Sequence, residues 1–313
     1  MSTPSRIFSI VCMLLTGGMV CVFCFPPLSA YSQSGLYGQS SLGNSNTSRK
    51  VTLLTWNLRW FPGGTQNASP QRAKDHLLQT QEILQKLQPA PDIICLQEIA
   101  SWDATETLVQ VLSDYQVYTV SRFPALPNQK TPGPQQLAIA GRFAPNASWS
   151  EEFKRTPAFP PRGFSFAAIE HPHALLFVYS VHLKSNLGDA NKNEKKREDA
   201  AKQILRHIRD MHRTYSNHRK PIVTIVAGDF NTDPQEARFS SEKTYAIFQK
   251  ELIWPWKNTP LSQRITLPKT RRFPAASFDG FFIHGAHIEN IQSHPVSSIS
   301  DHYPVTLTLL LPE

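Results

Sequence analysis

The sequence predicts an α/β protein in which β-sheets are covered on the outside by helices. Short apolar runs typical of buried strands alternate along the chain with longer segments whose apolar residues recur at helical spacing. The 313 residues are 40% hydrophobic and 18% charged, a globular composition that excludes a disordered, collagen-like or coiled-coil chain. Lys and Arg outnumber Asp and Glu by 32 to 24, for a net charge of +8. Such a basic balance favours anionic partners, namely nucleic acids, phosphoesters or membrane headgroups.

The N-terminal segment has the pattern of a secretory signal peptide. Arg6 is the only charged residue before an apolar stretch at 7–25, and the small residues Ser29 and Ala30 follow. We therefore expect residues 1–30 to be cleaved after Ala30 and the protein to be secreted or periplasmic, with an uncleaved membrane anchor as the alternative. Residues 31–50, rich in Ser, Gly, Asn and Gln, are predicted to form a flexible leader.

The remainder, residues 51–313, is predicted to be one catalytic domain, because no second linker interrupts it. Of the four cysteines only Cys95 lies beyond the predicted signal peptide, so the mature chain cannot form an intramolecular disulfide. Cys95 lies within an apolar run and is expected to be a buried core thiol.

The elements of this domain follow from local patterns. Ser69 followed by Pro70 is typical of a helix N-terminus, and a second, short helix is expected to include 108–112. The segment 194–211 is the clearest helix, with apolar residues on one face and Lys and Arg on the other. Apolar runs predict strands at 51–56, 92–96, 137–140, 164–169, 175–181, 221–227, 281–283 and 305–310.

Polar residues lie at the ends of many of these strands. A single one would most often be a turn residue, but a set drawn mostly from Asp, Glu, Asn and His indicates a site, because strand ends hold side chains rigidly at a cleft. The residues that follow a strand are Asn57, Glu98, His182, Asp229 and Asn231, and the pair Asp301–His302 precedes the last strand.

These side chains predict metal-assisted chemistry on a phosphoester. Carboxylate oxygens without thiolates favour Mg²⁺, with Mn²⁺ or Ca²⁺ as alternatives, and a hard cation beside amide donors suits a phosphate group. A histidine paired with a carboxylate could take a proton from the attacking water. Adjacent Asp301 and His302 point apart in an extended segment, which leaves Asp279 or Asp229 as the partner of His302.

Six short motifs occur in an order that resembles the endonuclease/exonuclease/phosphatase superfamily. This superfamily includes deoxyribonucleases, abasic-site endonucleases, bacterial sphingomyelinases and inositol polyphosphate 5-phosphatases. The resemblance implies a four-layer α/β sandwich, with two mainly antiparallel sheets face to face and helices outside. The motifs are residues 55–57, 94–98, 180–186, 228–231, 278–280 and 300–304.

The resemblance also implies roles for individual residues. Glu98 would be the main Mg²⁺ ligand, assisted by Asn57. His302 would be the general base and Asp279 would orient it. Asp229 would position or activate the attacking water.

Further roles follow in the same way. Asn231 would hold the scissile phosphate, and Asp301 would be a further metal ligand or a support for the histidine. His182 would donate to the phosphate or the leaving oxygen, and Lys184 and Asn186 are candidates for extra phosphate contacts.

One departure concerns His182. Where deoxyribonucleases carry a carboxylate that supports the corresponding histidine, near the start of the strand at 137–140, this sequence has Gln135 and Gln136. A hydrogen-bond donor role is therefore expected for His182 rather than the role of an acid.

These observations predict an exported, Mg²⁺-dependent phosphodiesterase, first of all a DNA endonuclease that acts as a monomer. An exported lipid or small-molecule phosphoesterase would use the same central residues and is the alternative. A membrane-acting enzyme needs an exposed apolar hairpin, for which Trp254-Pro255-Trp256 is the candidate. The basic helix surface at 192–209 would either contact a phosphate backbone or be a solvated face. A catalytically inactive binding module is disfavoured because all central residues are present.

Overall fold

Two β-sheets pack face to face in the computed structural model, which describes residues 48–125, 131–296 and 299–313. The predicted signal peptide and leader up to residue 47 lie outside this range. The first sheet has six strands in the order β10-β11-β1-β2-β4-β3. Its strands are β1 (Lys50–Phe61), β2 (Ile93–Ile99), β3 (Gln116–Val120), β4 (Gln136–Gly141), β10 (His287–Ser293) and β11 (Val305–Leu310).

The second sheet has five strands in the order β5-β6-β7-β8-β9. Within each sheet one central pair is parallel, β1 with β2 and β7 with β8, and the other pairs are antiparallel. The strands are β5 (Pro145–Glu152), β6 (Gly163–Glu170), β7 (Leu175–His182), β8 (Ile222–Asp229) and β9 (Asp279–His284).

Helices cover the outer faces of both sheets. The four α-helices of the described ranges are α1 (Pro70–Lys86), α2 (Trp102–Val109), α3 (Ala190–Thr214) and α4 (Thr244–Phe248), and two short 3₁₀ helices span Ala237–Phe239 and Leu261–Gln263. Leu84 of α1 and Leu108 of α2 share one apolar cluster with Trp56 of β1, whereas α3 and α4 belong to the larger core that also fills the space between the sheets. The expected four-layer sandwich is therefore confirmed.

Local signals placed most elements correctly. The Ser69 hydroxyl accepts a hydrogen bond from Arg72 N and caps α1, which begins at Pro70 as predicted. The short second helix lies earlier than predicted, because Ser101 provides its N-cap. Cys95 is buried and its thiol is free.

Three strands were not predicted, and each lies at an edge of its sheet: β3, β5 and β10. Edge strands are half exposed, so their sequences lack the continuous apolar runs of central strands. β10 alternates exposed and partly buried positions over its length. Its composition therefore resembles that of a loop.

Residues Thr47–Glu313 form one compact unit. No helix in the described part of the chain is long and apolar enough to span a membrane.

Candidate active site

The two parallel strand pairs bring polar residues of both sheets to a common end of the sandwich. Parallel neighbours end at the same edge of a sheet, and His182, the last residue of β7, lies opposite Asp229, the last residue of β8. Antiparallel pairing then places Asp279, the first residue of β9, opposite Asp229. Three candidate residues thus meet through strand register alone.

Glu98 is turned toward this cluster by an irregularity in β2. The pairing of β2 shifts between Gln97 and Ile99, and Glu98 has a left-handed backbone with φ of +61°. Simple alternation would place Glu98 on the outer face with Leu96, but an extra residue in a strand re-aims its side chain. Bulges and left-handed residues of this kind concentrate at functional sites.

The Asn57 amide links the two sheets at the site. Its Nδ2 donates to Asp229 Oδ2 at 3.1 Å and to Glu98 Oε1 at 3.3 Å, while its Oδ1 accepts from Arg59 N at 3.0 Å. The other carboxylate oxygen of Glu98 accepts from Trp60 N at 3.0 Å. Asn57 therefore holds together the two acidic residues that the sequence predicted to act on metal and water.

His302 and Asp279 form a buried hydrogen-bonded pair, with Nδ1 and Oδ2 separated by 2.8 Å. This distance selects Asp279 as the partner that the residue pattern left open. His302 Nε2 faces Asp229 Oδ2 at 3.9 Å, so the imidazole lies between two carboxylates. The backbone of His302 is also held, because its carbonyl accepts from Trp56 Nε1 at 3.0 Å.

Thr266 positions both members of this pair and was not predicted from the sequence. Its hydroxyl accepts hydrogen bonds from the backbone N–H groups of Phe278, at 2.9 Å, and Asp279, at 3.1 Å. Its carbonyl oxygen accepts from Tyr303 N at 2.7 Å. A single threonine in an irregular segment carries no sequence signal of such a role.

The pKa values of Asp229 and His302 are both raised in the buried cluster, so His302 is not simply a neutral general base. Burial, followed by the charge of Asp279, raises the pKa of Asp229 to about 7. Burial alone would lower the pKa of His302, but the charges of Asp279 and Asp229 and the bond to Asp279 outweigh it and raise the pKa to about 10. The anionic neighbours thus favour the imidazolium form of His302.

The neutral form of His182 is favoured over its charged form. Burial, reinforced by Arg162, His302 and Lys184, holds its pKa well below the usual range. Its Nε2 lies 3.5 Å from Asp229 Oδ2, and its buried Nδ1 has no hydrogen-bond partner among the described residues. No carboxylate of the described ranges orients this histidine through Nδ1, and its role as a hydrogen-bond donor stays a prediction.

Arg162 occupies the region where that carboxylate was sought. Its Nη1 donates to the carbonyl oxygen of His182 at 3.2 Å, and its Nη2 donates to Gln135 Oε1 at 3.1 Å. Arg162 follows two prolines in a loop, where nothing local indicates a site.

Asn231 lies directly behind Asp229. Its backbone N–H donates to Asp229 Oδ1 at 2.9 Å, and its Nδ2 donates to the carbonyl of Leu183 at 3.2 Å. Gly228 allows the close approach of β8 to β7 here, because a Cβ at this position would lie 2.0 Å from the carbonyl oxygen of Val181. The role of Asn231 on phosphate stays a prediction.

The side chains of Lys184 and Asn186 form hydrogen bonds to other residues of the chain. Lys184 Nζ donates to three oxygens of residues 185 and 187. Asn186 Nδ2 donates to the carbonyl oxygen of Asn231, and its Oδ1 accepts from Arg197. The described contacts give both residues a supporting position in the loop after β7, and direct contact with phosphate stays a prediction.

Asp301 lies apart from the buried cluster. Its side chain is 47% exposed and its Oδ2 lies 3.7 Å from Arg59 Nε. The structure does not bring Asp301 together with the other predicted metal ligands, and its role as a ligand stays a prediction.

The buried acids fit a divalent cation. Ligand atoms of Asp229, Asp279 and His302 all lie within 4.8 Å of one another, and Glu98 is joined to Asp229 through Asn57. Asp279 Oδ1 is buried without a hydrogen-bond partner in the described part of the chain. In the same ranges, the ion pairs of these three acids involve only His182 and His302. Uncompensated carboxylate oxygens of this kind suit a hard cation.

The fold and the site together define a hydrolase of phosphoester bonds. A sequence model of the Endonuclease/Exonuclease/phosphatase family matches residues 54–302. The chain belongs to this family, whose members are hydrolases that act on phosphodiester bonds. No curated protein sequence matches the chain.

Solved structures share the fold at low sequence identity. The human Nocturnin catalytic domain, with bound sulfate, is 19% identical, with a TM-score of 0.60 over 83% of this chain and 93% of that chain. An endonuclease/exonuclease/phosphatase from Bacteroides vulgatus is 17% identical, with a TM-score of 0.62 over 84% and 99%. Humanized D. rerio TDP2 is 16% identical, with a TM-score of 0.57 over 84% and 99%.

Proposed function

We propose that the protein is a Mg²⁺-dependent phosphodiesterase that cleaves DNA as an endonuclease. The observation that carries this proposal is the buried His302–Asp279 pair, which faces Asp229 across 3.9 Å. That arrangement provides an imidazole of fixed orientation beside a carboxylate that can exchange a proton near neutral pH.

The attacking water is assigned to the space between Asp229 and His302. Their nearest side-chain atoms are too far apart for a direct hydrogen bond, and a water can contact both. Because the two groups titrate together, the proton of the water passes to the pair. Asp229, with a pKa of about 7, is its first acceptor, and the His302 imidazolium stabilises the charge that develops on phosphate. His302 thus acts with Asp229 rather than as the sole base.

Glu98, with the Asn57 amide hydrogen-bonded to it, would hold the cation. When bound, the metal supplies positive charge that neutralises the phosphate and stabilises the leaving oxygen. Neutral His182 contributes an N–H donor toward the same region.

A basic turn supports a polymeric anion as the substrate. Residues 270–274 are all exposed and include Arg271 and Arg272, with the ring of exposed Phe273 beneath the Arg272 guanidinium and Lys269 just before them. The turn rises from a bridge between 267 and 276, next to Thr266, which holds Asp279. Three cations at this place favour a phosphate backbone near the scissile bond.

The lipid alternative loses its candidate hairpin. Trp254 and Trp256 are 6% and 2% exposed and pack in the main core. This candidate segment is therefore not an exposed apolar hairpin, and Trp254 packs edge-on against Tyr245. The basic helix surface is partly structural, since Arg197 is buried and bonds to Glu242.

Export is part of the proposal and is supported by the pattern of residues 1–30 alone. Action as a monomer is also part of the proposal, and it rests on the expectation stated in the sequence analysis.

Nicking of supercoiled plasmid by purified residues 31–313 tests the function. We expect nicking with Mg²⁺, none with EDTA, and none with His302→Ala protein of unchanged circular dichroism. Absence of nicking by the folded wild-type protein would contradict a DNA endonuclease. Liposomes containing sphingomyelin and soluble phosphodiesters would then distinguish the alternative phosphoesterase from an inactive binding module.

A further inference from the structure

A cavity of about 430 Å³ opens beside the candidate active site. Aromatic side chains of Trp60, Phe123 and Phe159 contribute to its walls, and Arg162 and Lys184 line it on the side of β7. None of the acids of the catalytic cluster lines it, so the cavity is a neighbouring space rather than the reaction centre.

Two contacts tie this cavity to the reaction centre. Trp60 N donates to Glu98 Oε2 at 3.0 Å, and Arg162 Nη1 donates to the carbonyl oxygen of His182 at 3.2 Å. Two residues that line the cavity are therefore each joined by one hydrogen bond to a residue of the candidate active site.

Arg162 brings a positive charge that no carboxylate of the described residues contacts directly. In the described part of the chain its partners are the His182 carbonyl and the neutral amide of Gln135. Two of its five N–H donors face these oxygens. A partly buried arginine commonly pairs with a carboxylate, because a charge removed from water without a partner is unfavourable.

The neutral side chain of Gln135 explains why the charge of Arg162 has no counter-charge beside it in the described ranges. A carboxylate at this place would neutralise Arg162, whereas Gln135 accepts a hydrogen bond without doing so. Glu98 and Asp229 act on Arg162 only through space. The guanidinium is thus suited to an anion that enters from the cavity.

The aromatic walls indicate what the anion is attached to. Phe159 has a left-handed backbone with φ of +48°, and its ring lies 5.6 Å from the guanidinium carbon of Arg155. Aromatic rings and planar guanidinium groups stack on nucleobases irrespective of base identity. The Arg162 guanidinium can bind a phosphate, and the neighbouring aromatic rings can stack on a base, so together they are complementary to a nucleotide.

We propose that this cavity binds the nucleotide next to the scissile phosphate, with its own phosphate on Arg162 and its base against the aromatic wall that includes Phe159. The inference rests on the proposed function, because the nucleotide in the cavity belongs to the same DNA substrate as the scissile phosphate. It goes further in predicting that the enzyme prefers oligonucleotides to diesters that lack a second phosphate.

Binding tests the cavity independently of catalysis. Fluorescence anisotropy of a fluorescein-labelled thymidine decanucleotide is measured on full-length mature His302→Ala protein in EDTA. We expect Arg162→Gln to weaken binding about tenfold, the loss of one charge-assisted contact. Arg162→Lys, which keeps the charge without the fork, should weaken it less, and Phe159→Leu severalfold. The matched control Arg122→Gln removes an exposed charge outside the cavity and should change binding by less than about twofold.

Hydrolysis then tests the link to the reaction. In otherwise wild-type protein, Arg162→Gln should raise KM for the decanucleotide about tenfold and change KM for bis(4-nitrophenyl) phosphate less than about twofold. Equal losses of kcat on both substrates would overturn the proposal, since Arg162 would then act only through His182. Unchanged decanucleotide binding would overturn it as well.

The two proposals fail separately. If wild-type protein hydrolyses neither substrate but binding depends on Arg162 and Phe159, the proposed function fails and the nucleotide site stands. If hydrolysis is intact and binding depends on neither residue, the nucleotide site alone fails. Should Arg162→Gln not fold, as judged by circular dichroism, the binding measured for Phe159→Leu decides between these outcomes.

Discussion

His302 Nδ1 lies 2.8 Å from Asp279 Oδ2, and both side chains are buried at the end of the sandwich where the two sheets meet. The carboxylate holds the imidazole in one orientation and stabilises its protonated form. Thr266 accepts hydrogen bonds from the backbone of Asp279 and from Tyr303, the residue after His302. The segment that contains Thr266 therefore helps to set the distance between Asp279 and His302.

Removal of either member of this pair is expected to abolish most of the activity. His302→Ala or Asp279→Asn should lower kcat on plasmid by about 10²-fold or more, as for other positioned proton-transfer groups, and Asp229→Ala should do the same. His287→Ala, a change at an exposed histidine of β10, is the control. Near wild-type turnover of any of the three variants would remove that residue from the mechanism.

Glu98→Gln is expected to weaken Mg²⁺ binding specifically. The substitution keeps the size of the side chain but removes one negative charge from the cluster. The Mg²⁺ concentration for half-maximal activity should rise by about tenfold or more, while Glu106→Gln, an exposed change on α2, leaves it unchanged. An identical Mg²⁺ titration for Glu98→Gln would take this residue out of the metal site.

The exposed basic turn should govern the salt dependence of DNA binding. Arg271→Gln combined with Arg272→Gln should lower the slope of log Kd against log salt concentration by about two, since each phosphate contact contributes about 0.9. Arg213→Gln with Arg219→Gln removes equal charge near the amino end of β8, which lies roughly 23 Å from Asp229 at about 3.3 Å per strand residue. If both double variants change the slope equally, the turn has no specific role.

His76 is expected to make stability depend on pH. Its Nδ1 accepts from Gly63 N at 2.7 Å, and burial, with smaller contributions from Arg72 and Arg59, lowers its pKa from 6.5 to about 4. Between these two values the unfolded chain binds a proton that the folded protein does not. Stability contributed by neutral His76 is therefore lost as the pH falls from about 6.5 toward about 4.

His76→Asn checks this expectation, since asparagine retains an acceptor for Gly63 N and does not titrate. The urea midpoint of the variant should fall less than that of wild type as the pH is lowered from about 7 to about 4.5. The exposed His287→Asn serves as the comparison. Parallel decreases in wild type and His76→Asn would show that His76 makes no such contribution.

The candidate site could largely be found from sequence because most of its members follow a short apolar run, although β1 and β2 continue past Asn57 and Glu98 to Phe61 and Ile99. Asn57, Glu98, His182 and Asp229 all follow apolar runs, and such a run is visible locally. Arg162 could not be found in this way, since its position near His182 depends on the loop that leads into the neighbouring strand β6. The edge strands β3, β5 and β10 were missed for a related reason, since a half-exposed strand has no continuous apolar run, whereas the edge strand β9 is buried over most of its length and was predicted.

The sequence by itself determined the class of fold, the family and most members of the site, because these depend on apolar periodicity and on short motifs in order. The tertiary structure established the hydrogen bond between Asp279 and His302 that the resemblance had implied. It alone decided that a bulge turns Glu98 toward the site and that Trp254 and Trp256 are buried. Each of these depends on packing between segments distant along the chain, and local sequence does not encode which segments meet.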